Sequence, residues 1–208
     1  MFLSMARLAS LVVAPITLTL LIRGQTFIEI WMGESYGDLS GRIIRILALS
    51  LPVTAPSQIL MSALIGMRKH RSLVPFQIGE AFLNVGASVL WIGTWGIVGV
   101  AWGNTLPTLA VSVIAVPWLA RKTMDIPVHR LAIEVFLRPW IAMIPFALAT
   151  VFIEVNWRVD DLLLYFLQVA LALPLAAAGA WLFSTSPSER VAIVGRVRSI
   201  KRRIIPRA

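Results

Sequence analysis

The chain has 208 residues, of which 58% are hydrophobic and 14% charged, and its mean hydropathy is +0.83. Those values exclude an ordinary soluble domain and describe an integral membrane protein. The formal net charge of +9 is bunched in the connections, which accounts for it without a nucleic-acid partner, and the absence of cysteine excludes disulfide and thiolate chemistry.

A bilayer offers no partner to an open backbone, so each long apolar run is expected to be a helix. Because a hydrocarbon core of about 30 Å takes about 20 helical residues, the sequence divides into six spans, at about residues 3–22, 43–66, 72–92, 97–118, 139–156 and 162–183. The first resembles a signal peptide only superficially. Its one basic residue is Arg7, Pro15 interrupts it, and it has no clear small-residue cleavage site. The second contains an uncharged window from Ile46 to Met67, with Ser50, Thr54, Ser57 and Gln58 as its polar positions and Arg45 near one end.

Between Ser72 and Ala120 the only charge is Glu80. One helix over that stretch would be about 74 Å long, so the chain must turn back once, and Gly93-Thr94-Trp95-Gly96 is the turn. On the third span Gln77, Glu80, Asn84 and Ser88 recur at helical spacing as one polar stripe. Glu80 is about 12 Å from the start of the span by helical rise, where a carboxylate facing lipid is costly. Two readings follow: a cavity-lining group that takes a proton or a cationic partner, or a protonated clamp between helices. The fourth span carries a second stripe, Asn104, Thr108 and Ser112, together with Gly96, Gly99 and Gly103. All three glycines are expected to serve helix packing, and the spacing of Gly99 and Gly103 suits close approach. A water-filled face shared by spans two, three and four would gather Gln58 with both stripes.

The fifth span is uncharged only from Pro139 to Ile153 and needs Asn156 and Trp157 at the interface to reach across. Pro15, Pro52, Pro56, Pro107, Pro145 and Pro174 are expected to kink helices rather than break them. After the sixth span, residues 186–208 form a basic tail. Ser186-Pro187-Ser188-Glu189 has the form of a capping box, and Ile193, Val197, Ile200 and Ile204 recur between basic residues. An amphipathic helix on the inner leaflet is expected there, holding anionic lipid through Arg196, Arg198, Lys201, Arg202 and Arg203. A disordered basic stop signal is the alternative.

Orientation follows from the basic connections. Arg68, Lys69 and Arg71, then Arg121, Lys122, Arg130 and Arg138, then the tail mark alternate connections as cytoplasmic, so both termini are expected inside. The remaining connections carry Glu29, Glu34 and Asp38, no charge, and Glu154, Asp160 and Asp161 against Arg158. His70 and His129 have no metal-ligand pattern, and neither a phosphate-binding glycine loop nor a nucleophile elbow is present. No metal, cofactor or enzymatic activity is expected. Residues 1–185 form one membrane domain.

Gly24, Phe27, Ile28, Trp31, Gly33 and Tyr36 in RGQTFIEIWMGESY resemble the loop that opens the second half of polysaccharide flippases of the multidrug/oligosaccharidyl-lipid/polysaccharide (MOP) superfamily. Gly66 before Arg68-Lys69-His70-Arg71, then Glu80 and Asn84, then Gly96 to Gly103 follow in the order and spacing of those proteins. The resemblance covers about residues 1–120, and the rest agrees in hydropathy. It implies an all-α membrane fold, the second six-helix lobe of a MATE-like two-lobe transporter. The implied activity is translocation of undecaprenyl-pyrophosphate-linked saccharide across the bacterial inner membrane. The first lobe is missing from the sequence, so a partner lobe or second polypeptide is implied. Two rivals stand beside this reading. One is a non-catalytic assembly subunit of polysaccharide biosynthesis; the other is a membrane glycosyltransferase or ligase using outer acids such as Glu29, Glu34, Asp38, Asp160 and Asp161.

Overall fold

The structure is a computed structural model that describes residues 2–184. The expected tail helix, with Arg196, Arg198, Lys201, Arg202 and Arg203, lies outside the described residues. The helices in chain order are α1 (Phe2–Met32), α2 (Gly37–Ala48), α3 (Leu51–Gly66), α4 (Val74–Trp95), α5 (Ile97–Ala110), α6 (Val116–Met124), α7 (Val128–Leu131), α8 (Arg138–Ala142), α9 (Ile144–Asn156) and α10 (Leu162–Gly179). Wider π-helical turns fill Val111–Ala115, Ala132–Leu137 and Ala180–Ser184. Among the described residues there is no strand.

Among the described residues, five helical runs are long and apolar enough to cross a membrane: Phe2–Met32, Glu34–Gly66, Ile97–Met124, Val128–Asn156 and Leu162–Ser184. Six spans are expected from the sequence, and five of them meet that description. The sixth candidate, α4, is a helix of 22 residues, but Gln77, Glu80 and Asn84 lower its apolarity and it is not among the five. Boundaries also move. The first run continues past residue 22 to Met32, the second begins near Glu34 rather than residue 43, and the fifth begins at Val128 rather than residue 139. The first extension has a local cause: Arg23 is bonded inside the bundle, so the charge does not end the helix.

Proline explains most of the irregularities. Pro15, Pro56, Pro107 and Pro174 lie within helices. Pro52 and Pro145 do more than kink: they stand in the first turns of α3 and α9, after interruptions at Leu49–Ser50 and Met143. Neither has an N–H to give the carbonyl four residues back. The chain tightens instead, with Ser50 N bonded to Leu47 O and Met143 N to Trp140 O. The carbonyls of Val113 and Val135 precede Pro117 and Pro139 by four residues, and each lies in a π-helical turn, where the wider winding accommodates the missing donor.

The central helix is α1, which packs against α2 and α3 on one side and α8, α9 and α10 on the other. Two apolar clusters hold the bundle. One joins Ala6, Leu60, Leu64, Leu119, Leu131 and Val135; the other joins Ala14, Met143, Phe146, Ala172 and Ala176. The helix α4 sits at the edge, packed mainly on α5, with none of its residues buried. Its Phe82 and Leu90 are 76% and 74% exposed. In water so much bare apolar side wall would drive association; in a bilayer it meets lipid. The described residues thus have the build of a multi-pass membrane protein.

Candidate functional site

The predicted stripes meet at the α4–α5 hairpin. Gly96 makes the turn with φ 59° and ψ −143°, a conformation open to glycine alone, and a Cβ there would meet open space. Gly96 therefore serves the turn and not the packing contact expected of it. Within the next two turns, the helices press together. A Cβ on Gly99 would lie 2.2 Å from the Trp91 carbonyl oxygen, and one on Gly103 2.5 Å from Ser88 N, so only glycine admits this approach of backbones.

Close approach carries the polar side chains onto one another. Thr108 Oγ1 donates to Glu80 Oε1 at 2.8 Å, and Ser88 Oγ points to the Val100 carbonyl oxygen at 3.5 Å. Between them Asn84 Oδ1 is buried without a hydrogen-bond partner among the described residues. Glu80, Asn84 and Ser88 are thus half-buried on the α5 side of α4, whereas Gln77 and Asn104 are exposed. Gln58 is not brought into this set. It is exposed on α3, which packs chiefly on α1. The α3 and α5 segments meet elsewhere, where Ser57 Oγ lies 3.4 Å from the Ser112 carbonyl oxygen.

A second polar centre was not anticipated from the sequence. Arg23, 1% exposed, projects from α1 between α9 and α10. Its Nε donates to Glu154 Oε2 at 2.8 Å and its Nη2 to Gln168 Oε1 at 2.7 Å. The guanidinium carbon stands 4.5 Å from the centroid of the Tyr165 ring, close enough for a cation–π contact. Thr26, one helical turn along α1, donates its hydroxyl to Glu154 Oε1, and Gln168 Nε2 donates to the Trp157 carbonyl at 2.9 Å. Removing two ions from water costs several kcal/mol each, which only good geometry and further hydrogen bonds offset. Both are present here. The expected end of the first span at residue 22 is corrected: Arg23 lies within α1, and Glu154, counted with the connection that follows the fifth span, lies within α9; the missed signal was the helical recurrence of Arg23, Thr26 and Ile30 beyond residue 22.

Polar contacts continue around the same end of α1. Arg158 Nη2 pairs with Glu29 Oε2 at 2.6 Å, Gln25 Nε2 donates to Glu29 Oε1 and Asp38 Oδ1, and Arg45 Nη2 donates to Gln25 Oε1 at 3.2 Å. An open cavity of about 570 Å³ lies among Thr26, Glu29, Gly33, Glu34, Arg158 and Asp160. Asp161 is the N-cap of α10, accepting from Leu163 N and Leu164 N at 2.7 and 3.1 Å. Of these acids, Glu29 ties α1 to the connection before α10, and Asp161 caps its own helix. No group of acids and histidines able to hold a metal ion occurs among the described residues.

No protein-family model, no curated protein and no solved structure matches this chain.

Proposed function

We propose that this chain forms one lobe of a two-lobe membrane carrier that moves undecaprenyl-pyrophosphate-linked saccharide across the bacterial inner membrane. In this reading α4 is the sixth span, both termini and the basic connections are cytoplasmic, and a second lobe closes a polar cavity. The supporting observation is the Glu80–Thr108 pair at the bundle edge, flanked by exposed Gln77 and Asn104 and by the unpartnered Asn84 Oδ1. A helix with that stripe is poorly suited to lipid on all sides. Facing a wet cavity between lobes, its amides meet water and saccharide hydroxyls, while the opposite side, with Phe82 and Leu90, meets lipid.

One observation favours a second reading, a non-transporting subunit of polysaccharide assembly. The Thr108 hydroxyl already satisfies Glu80 Oε1, as a clamp between helices requires. Two substitutions in the carrier that contains this lobe separate the readings. Glu80→Gln retains shape and hydrogen bonding without ionisation, whereas Glu80→Leu removes both. Loss of saccharide export by both, with normal abundance of Glu80→Gln, is expected of a cavity carboxylate. Normal export by Glu80→Gln with reduced abundance of Glu80→Leu would establish the clamp and withdraw the transport role of the stripe.

A further inference from the structure

At the end of the bundle away from Arg23, two connections distant in sequence are stapled together. Lys69 Nζ, in the connection from α3 to α4, donates to the Thr123 carbonyl oxygen at 3.1 Å, in the last turn of α6. Both connections reverse through left-handed residues that are not glycine, Arg68 at φ 58° and Asp125 at φ 55°. The staple gathers Arg68, Lys69, Arg71, Arg121 and Lys122 at one rim, all exposed. Arg130, close by, is paired with Glu134 at 2.8 Å, and Asp125 is the one other carboxylate of these two connections. Among the described residues Arg68, Arg71, Arg121 and Lys122 have no carboxylate partner.

The wall directly below this rim is apolar. Trp118 is 49% exposed on α6, with the Lys122 ammonium 4.9 Å from its ring centroid and Phe76 at 5.9 Å between ring centroids. Ile114, one turn further into the bundle, is bare on the same helical face. An indole capped by an ammonium, with cations above and an exposed isoleucine below, has the vertical order of a lipid: phosphate, interface, acyl chain. A free anion would use only the upper part.

We infer that this stapled rim is a binding site for anionic phospholipid, with the headgroup phosphate on Arg71, Arg121 and Lys122 and an acyl chain along Trp118 and Ile114. It is distinct from the tail read as lipid-binding from the sequence, and it does not depend on the transport reading.

The three lysines, Lys69, Lys122 and Lys201, provide the test in the unmodified protein. Full-length protein is reconstituted in phosphatidylcholine vesicles with or without phosphatidylglycerol, and acetylation of each lysine is followed by mass spectrometry. Phosphatidylglycerol is expected to slow acetylation of Lys122 about tenfold, on the scale of a few cations near an anionic surface. Inorganic phosphate at equal concentration should leave it unchanged. Replacing Arg71 and Arg121 with glutamine should abolish the protection of Lys122, and replacing them with lysine should restore it; replacing the tail arginines with glutamine should not affect it. Lys122 acetylation that is indifferent to phosphatidylglycerol, equal protection by inorganic phosphate, or protection lost with the tail arginines would each overturn the site.

Discussion

The buried ion pair of Arg23 and Glu154 is the most exacting test of how the bundle is held. Arg23→Met removes a guanidinium that is 1% exposed and leaves Glu154, itself 20% exposed, with only the Thr26 hydroxyl. Glu154→Leu leaves the guanidinium with Gln168 and Tyr165 but no counter-charge. Breaking a buried pair from one side typically costs about 3–5 kcal/mol, whereas replacing both partners with apolar groups of similar volume is close to neutral. Remaining exposure at Glu154 places Arg23→Met at the lower end of that range and Glu154→Leu at the upper. For a chain of this size each kcal/mol lowers the melting temperature by roughly 2–4 °C, so the single changes should cost about 6–20 °C. The assay is thermal unfolding in a fixed detergent or nanodisc, with the double variant alongside. The double variant should recover more than half of the loss, a coupling typical of residues in contact. Single variants within about 2 °C of the parent, or strictly additive losses in the double, would refute the assignment of this pair as the joint between α1 and the α9–α10 hairpin.

The α4–α5 contact should be as intolerant of a methyl group as its geometry requires. Gly103→Ala and Gly99→Ala each place a Cβ within 2.5 Å of α4 backbone and should destabilise by about 1–3 kcal/mol as overpacking does. Thermal unfolding checks it, and a loss equal to that of Gly66→Ala, where nothing lies within 4 Å, would contradict the contact. Topology is open to single-cysteine labelling because the chain has no cysteine of its own. An impermeant thiol reagent applied from outside should reach cysteines at Ser40 and Asp160 and leave those at Ser72 and Lys122 unlabelled. The reverse pattern would invert the proposed orientation.

Composition and the spacing of charges were enough to determine that the described residues are helical with long apolar runs, that the chain reverses near Gly96, though α4 runs on through Gly93 to Trp95 and Gly96 alone makes the turn, and the helical register that puts Glu80, Asn84 and Ser88 on one face. These are local properties: hydropathy over twenty residues and a period of 3.6 are written in consecutive residues. The interruptions before Pro52 and Pro145 were less legible, because whether a proline bends a helix or ends it depends on what packs against the freed carbonyl. Span boundaries misread from charge show the larger limit. Arg23 and Glu154 look like the ends of spans when each is considered in its own segment, and only the meeting of α1, α9 and α10 converts them into one bonded pair within the bundle. The same holds for Lys69 and Thr123, which are joined by folding alone. A charge is unfavourable in an apolar run until its partner is known, and that partner, here 131 residues away, is supplied by tertiary packing and not by any neighbour in the sequence.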